Sequence, residues 1–359
     1  MRRNITLFFK KIINPSIVVI ISTIISLLFA ELIVVVASPQ DLSGSWSTLH
    51  ESGLLLNKPE GSTKHQLKDM TVNYNFNKFH ARDVGTYDIR KEKRVLMLGD
   101  SFSFGWLLKD EDTYGYKLAQ NYPEWNWINA STPAWGLSEY TKYTSLFCKQ
   151  INPDRILVLL NNDDFRRSVI SNLYGFAQGQ LVTKNPSLSP RQSIKRLFNS
   201  LSIYQFLIEN SHFLQLLRKV INSPNGFFYA FYDESASSEK EISLEEISSA
   251  IVLNKALFLR LISHGKECSS AIQIVYIGTK DFFDNSRKQD LNNYVFKNLI
   301  ETSFFEENSI QFIDLTQSPT MVEYRTDDSH KISFEGHPSP LGAEKIFRAV
   351  ISRLVATNM

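Results

Sequence analysis

Ser101 and His337 are the residues whose types and settings can do chemistry. The serine ends the run Val95-Leu96-Met97-Leu98-Gly99-Asp100-Ser101, just past an apolar stretch that reads as a buried strand. The histidine lies far downstream in Glu335-Gly336-His337-Pro338, in a loop before the last helical segment. A hydroxyl alone is a poor nucleophile. A strand end that projects it into a cleft, beside an imidazole that takes its proton, makes it acylatable. A plain strand-to-helix turn with Ser101 or Ser103 as a helix cap uses the same residue types, and the two roles can share one loop. The 7 histidines show no paired helical spacing, so neither a metal site nor a cofactor is expected.

Such a pair needs strands that end at one rim. The first strong strand is Arg94–Gly99, and Tyr114–Asn121 falls in the first helix after it. Trp127–Ala130 is a short second strand, and Ser138–Gln150 has helical spacing. Arg155–Leu160, continuous in Ile, Leu and Val, reads as a third strand buried on both faces. Ile272–Gly278 and Ile310–Leu315 are the fourth and fifth, and Gly342–Thr357 closes the chain as an amphipathic helix. This alternation predicts an α/β fold, a parallel sheet covered by helices on both sides. Its reactive rim lies at the carboxyl ends of the strands.

Between the third and fourth strands runs a long stretch, Phe165–Glu267, with an insertion at about 165–247. Within it Ser193–Val220 has apolar residues at helical spacing, and Asp233–Glu246 is rich in Ser and Glu and reads as solvated. Glu245–His264 reads as the helix feeding the fourth strand. The insertion is either a lid or substrate platform beside the rim, or a helical embellishment packed on the sheet.

At the N-terminus, Arg2, Arg3, Lys10 and Lys11 precede an uncharged run, Ile17–Ala30, which resumes after Glu31 as Leu32–Ala37. Together these segments match the roughly 20 residues that cross a bilayer. Positive charge before the span predicts a cytoplasmic N-terminus and an exported body. A cleaved signal peptide is the rival, with Val35-Val36-Ala37 as the cleavage site, although the apolar region of such peptides is only about 7–15 residues. Glu31 lies near the outer interface, is neutral, or pairs with a partner helix. The expected organisation is therefore 1–37 cytoplasmic tip and membrane anchor, 38–93 linker and lead-in broken by Pro and Gly with short strands around Met70–Phe76, and 94–359 the folded body.

The 359 residues suffice for a full core. A net charge of +2, with the basic residues dispersed, predicts no nucleic-acid partner. Two cysteines, Cys148 and Cys268, exclude a disulfide-framework fold and leave open one bridge or two buried thiols. Oligomeric state is not readable.

Four short blocks between Arg94 and Met359 resemble the SGNH (GDSL-type) hydrolase superfamily; the anchor and the insertion lie outside the resemblance. It implies a flavodoxin-like three-layer α/β/α fold with a five-stranded parallel sheet. Gly99-Asp100-Ser101 matches the family's Gly-Asp-Ser, which makes Ser101 the nucleophile and its backbone N–H an oxyanion donor. The absence of Gly-x-Ser-x-Gly argues against the other common serine esterase fold. In Asn129-Ala130-Ser131-Thr132-Pro133-Ala134-Trp135-Gly136, the position of the family's oxyanion glycine is Ala134, which keeps the backbone donor provided φ is negative; Gly136 is the alternative. Leu160-Asn161-Asn162-Asp163 matches Gly-x-Asn-Asp without its glycine, so Asn162 donates its side-chain amide to the oxyanion, with Asn161 as the one-residue slip.

In Phe334-Glu335-Gly336-His337-Pro338, His337 is the base, and the family's acid position is occupied by Phe334. Glu335 is the expected orienting acid, with Asp327, Asp328 or a dyad helped by a backbone carbonyl as alternatives and His330 as a weaker base. Phe102, Phe104, Trp106 and Trp135 either stack on a sugar or acyl chain or belong to the core. The resemblance implies an exported, membrane-tethered serine esterase acting on O-acetyl esters of a cell-envelope or secreted carbohydrate. O-acetyl transfer by the same residues, or a non-catalytic polysaccharide-binding or assembly role, are the alternatives.

Overall fold

The computed structural model describes residues 15–85, 88, 90–184, 190–222, 242–278 and 291–356. The basic residues Arg2, Arg3, Lys10 and Lys11 and most of Asp233–Glu246 lie outside the described residues. The chain begins with the apolar helix Pro15–Ala37. A hairpin follows, β1 (Ser47–Leu49) and β2 (Leu55–Asn57), then β3 (Gly61–Leu67), β4 (Met70–Asn77) and β5 (Ala81–Arg82). The central strands are β6 (Arg94–Gly99), β7 (Asn126–Asn129) and β8 (Arg155–Leu160). A second hairpin, β9 (Tyr174–Ala177) and β10 (Gln180–Thr183), precedes β11 (Ala271–Tyr276) and β12 (Gln311–Asp314).

Successive side chains of a strand point to opposite faces, and here both faces are apolar. Leu96, Leu98, Ile156, Val158, Leu160 and Ile274 face a core shared with helices Leu137–Ile151, Leu244–Glu267 and Leu291–Glu301. Their alternates Val95, Met97, Leu157, Leu159 and Val275 face helices Tyr114–Asn121, Pro319–Thr326 and Pro340–Ala356. This is the three-layer arrangement the alternation predicts. Strands β7, β6, β8, β11 and β12 are mutually parallel, in that spatial order.

The expected sheet of five parallel strands needs correction: the sheet has eight strands and is mixed, in the order β12-β11-β8-β6-β7-β5-β4-β3. The three extra strands are antiparallel and come from residues 61–82, inside the segment read as linker and lead-in. Their chemistry explains the addition. In β4, Val72, Tyr74 and Phe76 are buried while Thr71, Asn73 and Asn75 are exposed, the one-sided alternation of an antiparallel strand with one wet face. The inward residues build a third core with Phe104, Leu107 and Ile332. The sheet therefore reaches under the loops that follow β6 and precede the last helix.

The insertion lies along the far edge of that extension. Glu209, in helix Ser202–Asn210, accepts from the Lys64 backbone N–H of β3 (3.3 Å), and Gln205 accepts from Ser45 N–H (3.0 Å). Gly44 runs so close to this helix that an added Cβ would strike the Glu209 carboxylate. An edge strand covered in this way is closed to further pairing. Helix His212–Asn222 packs along the N-terminal helix.

Among the described residues, two helices are long and apolar enough to cross a membrane, Pro15–Ala37 and Leu244–Glu267. The second buries Ala250, Leu253, Leu257, Phe258 and Leu261 against the sheet and is a core helix. In the first, only Val34 is buried. Cys148 and Cys268 are joined as a disulfide.

Candidate active site

Ser101 stands at the end of β6, as the first residue of a one-turn helix, Ser101–Phe104. Three local features fix it. An added Cβ on Gly99 would overlap the Ser103 side chain, so only glycine lets the turn follow the strand this closely. Asp100 caps the helix through Phe102 N–H (2.9 Å). Gly105 ends it with φ of 81°, a left-handed conformation that favours glycine. As the first helical residue, Ser101 has a backbone N–H without an intrahelical acceptor. Ser103, the other serine of the turn, accepts from the buried Tyr114 hydroxyl (2.5 Å) and belongs to the core.

His337 arrives from the other end of the chain on a tight loop. Ile332 N–H donates to His337 O (2.7 Å), and Gly336 N–H donates to Ile332 O (2.9 Å). Gly336 has φ of 69°. Behind the loop, an added Cβ on Gly342 would overlap the His330 carbonyl, so glycine lets the last helix start directly under it. The result is a contact of 2.9 Å between His337 Nε2 and Ser101 Oγ. Ser101 is only 5 % exposed. The rings of Phe102 and Trp106 flank the imidazole at 5.2 and 5.7 Å between centroids.

The remaining candidates separate clearly. Glu335 brings Oε2 to 3.7 Å from His337 Nδ1, near enough for charge but too far for a hydrogen bond. Nδ1 itself is buried and has no side-chain hydrogen-bond partner among the described residues, while the Glu335 backbone favours the protonated ring. Asp327 accepts from Ser329 N–H and Asp328 pairs with Lys331 at 3.0 Å, so both are engaged locally. His330 is buried, with Nδ1 3.2 Å from the Glu323 carbonyl oxygen and its ring stacked on Tyr324. Of the aromatics, Phe104 and Trp135 are core residues, and the Trp135 indole N–H donates to Leu55 O (2.7 Å).

Burial pushes the His337 imidazole below the ordinary histidine value of 6.5. The Asp100 and Glu335 carboxylates pull it back up, and Arg167 adds to the lowering. The ring is therefore held neutral, as a proton acceptor must be.

The condition set for Ala134 is not met: its φ is 67°. Trp135 N–H reaches Thr132 O at 3.3 Å across Pro133-Ala134. In a type II turn, with proline at the second position, the third residue has positive φ. Ala134 therefore follows a path glycine takes without cost, and it is exposed. Gly136 is ruled out as the alternative donor, because its N–H is given to Glu139 (3.0 Å) at the start of helix Leu137–Ile151.

Asn161 is likewise committed: its Nδ2 donates to Asp100 (3.2 Å) and its Oδ1 accepts from Asn162 N–H (2.8 Å). Both asparagines are buried at the end of β8.

One set of residues escaped the sequence reading. Arg167 donates to Asp100 at 2.8 Å, approaches Asp164 at 3.4 Å and reaches the Trp135 carbonyl at 3.4 Å. It thereby links the nucleophile turn, the loop of Ala134 and the helix after Asn162. Asp164 also accepts from Tyr140 O–H and Asn161 N–H, both at 2.8 Å. Burial and the nearby Asp100 push the Asp164 carboxyl well up, against the pull of Arg167. A buried acid directly before the serine demanded a cation, and the tandem Arg166-Arg167 was the available signal. A cavity of about 500 Å³ lies elsewhere, between the β1–β2 hairpin and the insertion, and neither Ser101 nor His337 lines it.

No family model matches this chain, and no curated protein matches it. Several solved structures resemble it. The esterase EstA from Pseudoalteromonas sp. is 10 % identical over 74 % of this chain and 98 % of its own, with a TM-score of 0.40. A lipolytic protein of the G-D-S-L family from Desulfitobacterium hafniense is 12 % identical over 73 % and 99 %, at 0.39. The acetylxylan esterase Axe2 from Geobacillus stearothermophilus is 15 % identical over 75 % and 96 %, at 0.40. At these scores the likeness adds no weight to an activity, which has to be argued from the geometry at Ser101 and His337.

Proposed function

We propose that this chain is a membrane-tethered serine esterase of SGNH type that removes O-acetyl groups from a cell-envelope or secreted carbohydrate. The observation that carries the reading is the 2.9 Å contact between Ser101 Oγ and His337 Nε2. In the first half-reaction Ser101 Oγ bonds to the ester carbonyl carbon while its proton passes to His337 Nε2. Ser101 N–H and the Asn162 amide hold the oxyanion, without Ala134, whose positive φ fails the condition set for its backbone donor; losing one such donor costs roughly 10²–10³-fold in kcat. Collapse breaks the bond to the alcohol oxygen, which leaves with the imidazolium proton. Water then gives a proton to His337 and attacks the acetyl-serine, and acetate departs as Ser101 recovers its proton. Glu335 acts as a nearby charge that favours the imidazolium across 3.7 Å.

Phe102 and Trp106 beside the imidazole offer faces on which a sugar ring stacks. The tether is the 23-residue apolar helix Pro15–Ala37, with the folded body outside. The joined cysteines favour an oxidising compartment.

The test is hydrolysis of an aryl acetate by the full chain in detergent, with fluorophosphonate labelling in parallel. Turnover and labelling that both vanish in Ser101→Ala support the mechanism. Turnover unchanged in that variant removes it, and a wild-type serine that resists the label leaves a carbohydrate-binding body without catalysis.

A further inference from the structure

Three consecutive helices of the insertion, Pro190–Ser200, Ser202–Asn210 and His212–Asn222, carry apolar residues on the wrong side for a water-soluble body. Ile194, Leu197 and Phe198 form one stripe, and Ile203, Phe206 and Leu207 another, at the three- and four-residue spacings of a single helix face. An amphipathic helix turns such a stripe to the core. Here both stripes face outward, with Leu197, Ile203 and Phe206 each 61–64 % exposed. Scattered apolar residues on a surface need no explanation, but contiguous patches mark a partner.

The N-terminal helix indicates which partner. Glu31, the one charge in its apolar run, accepts from Ser211 Oγ (2.6 Å), His212 N–H (2.7 Å) and Phe213 N–H (2.9 Å). It satisfies the opening turn of helix His212–Asn222, and so clasps the insertion to the anchor. The clasp sits six residues before the anchor ends at Ala37, about 9 Å along the axis. Interfacial helices bury their apolar faces about 5–10 Å into the boundary between headgroups and acyl chains. The clasp therefore sets the insertion at the depth such helices occupy. The net charge agrees: the sequence of residues 190–222 holds five basic residues against Glu209 alone, a balance that complements anionic headgroups, while Arg218 itself is turned to Ser43 and Ser45 of the body.

We propose that the helices of residues 190–222 dock on the bilayer that holds the anchor, with their outward stripes toward the acyl chains and the segment's net positive charge drawn to anionic headgroups. The inference rests on the anchor spanning that bilayer, as proposed above. The folded body is then held flat against the membrane through two elements, with Glu31 as the joint.

Spin-label accessibility tests it on the full chain in vesicles of equimolar phosphatidylcholine and phosphatidylglycerol. Labels are attached singly to Ile24→Cys, Leu197→Cys, Phe206→Cys and Lys297→Cys, and collisions with oxygen and with a nickel chelate are compared. The expected result is Ile24 deep in lipid, Leu197 and Phe206 at shallow lipid depth, and Lys297 in water. Nickel collisions at Leu197 and Phe206 equal to those at Lys297, with Ile24 still in lipid, overturn the docking and spare the anchor. An aqueous Ile24 overturns the anchor instead. Labels at Leu197 and Phe206 closed to both reagents mean that a second copy covers the stripes, which also overturns the proposal. In vesicles of phosphatidylcholine alone, nickel collisions at Phe206 should rise severalfold; an unchanged value overturns the role of anionic headgroups.

Discussion

The two sides of the Ser101–His337 contact are built differently. On the serine side, Asp100 is fully buried and engaged by Phe102 N–H, Asn161 and Arg167, which ties the turn after β6 to the end of β8 and the helix that follows it. On the histidine side, the imidazole Nδ1 has no side-chain hydrogen bond among the described residues, the Glu335 carboxylate stands off at 3.7 Å, and the loop is held by backbone bonds and two flanking rings. Networks of buried, satisfied polar groups rigidify a site, whereas a loop held by few contacts gives way easily. The Ser101 turn is over-determined and the His337 loop is lightly held.

That contrast can be broken or sharpened by substitution. The largest effect is chemical and blind to it: Ser101→Ala and His337→Ala should each lower aryl acetate turnover by at least about 10³-fold with little change in thermal midpoint. Next, Arg167→Ala leaves Asp100 without its cation in a buried setting, and denaturant titration should show a loss of about 3–5 kcal/mol. On the histidine side, Lys331→Ala breaks a pair whose carboxylate partner is exposed, and the same titration should show less than about 1 kcal/mol. Equal losses would erase the contrast.

A smaller effect is expected from Glu335→Gln. Burial holds the His337 pKa below 6.5 and Glu335 opposes that shift, so activity is lost as pH falls through a midpoint already below 6.5. Removing the carboxylate charge should move this acid limb of kcat/KM lower still. The cost in kcat should be about tenfold, against the roughly 10⁴-fold lost with a hydrogen-bonded triad acid. A limb that moves upward would show that Glu335 does not act on the ring. The smallest effect is Ala134→Gly, which relieves a left-handed alanine and should raise stability by about 0.5–1 kcal/mol.

The central strands were legible because each is a short apolar run bounded by polar residues. β6 and β8 match their expected ranges, and β7, β11 and β12 differ only at their ends. Of the antiparallel extension, the strand around Met70–Phe76 was legible, but its place in the sheet was not, because the attachment is a single pairing, Arg82 opposite Asn129, between residues far apart in sequence. Among site residues, Ser101 and His337 could be named from their local settings. Arg167 and the Glu31 clasp could not, since each works through partners that only the fold brings near.

The cystine has a consequence for the chain between its ends. Cys148 shortly precedes β8 and Cys268 shortly precedes β11, and those strands are neighbours, with Arg155 opposite Ala271. The bond therefore closes a ring of chain, 120 residues in separation, that contains the whole insertion. By loop entropy such a closure contributes about 4–5 kcal/mol. A protease that nicks the ring at any point leaves two pieces still stapled beside each other, and only a reductant separates them.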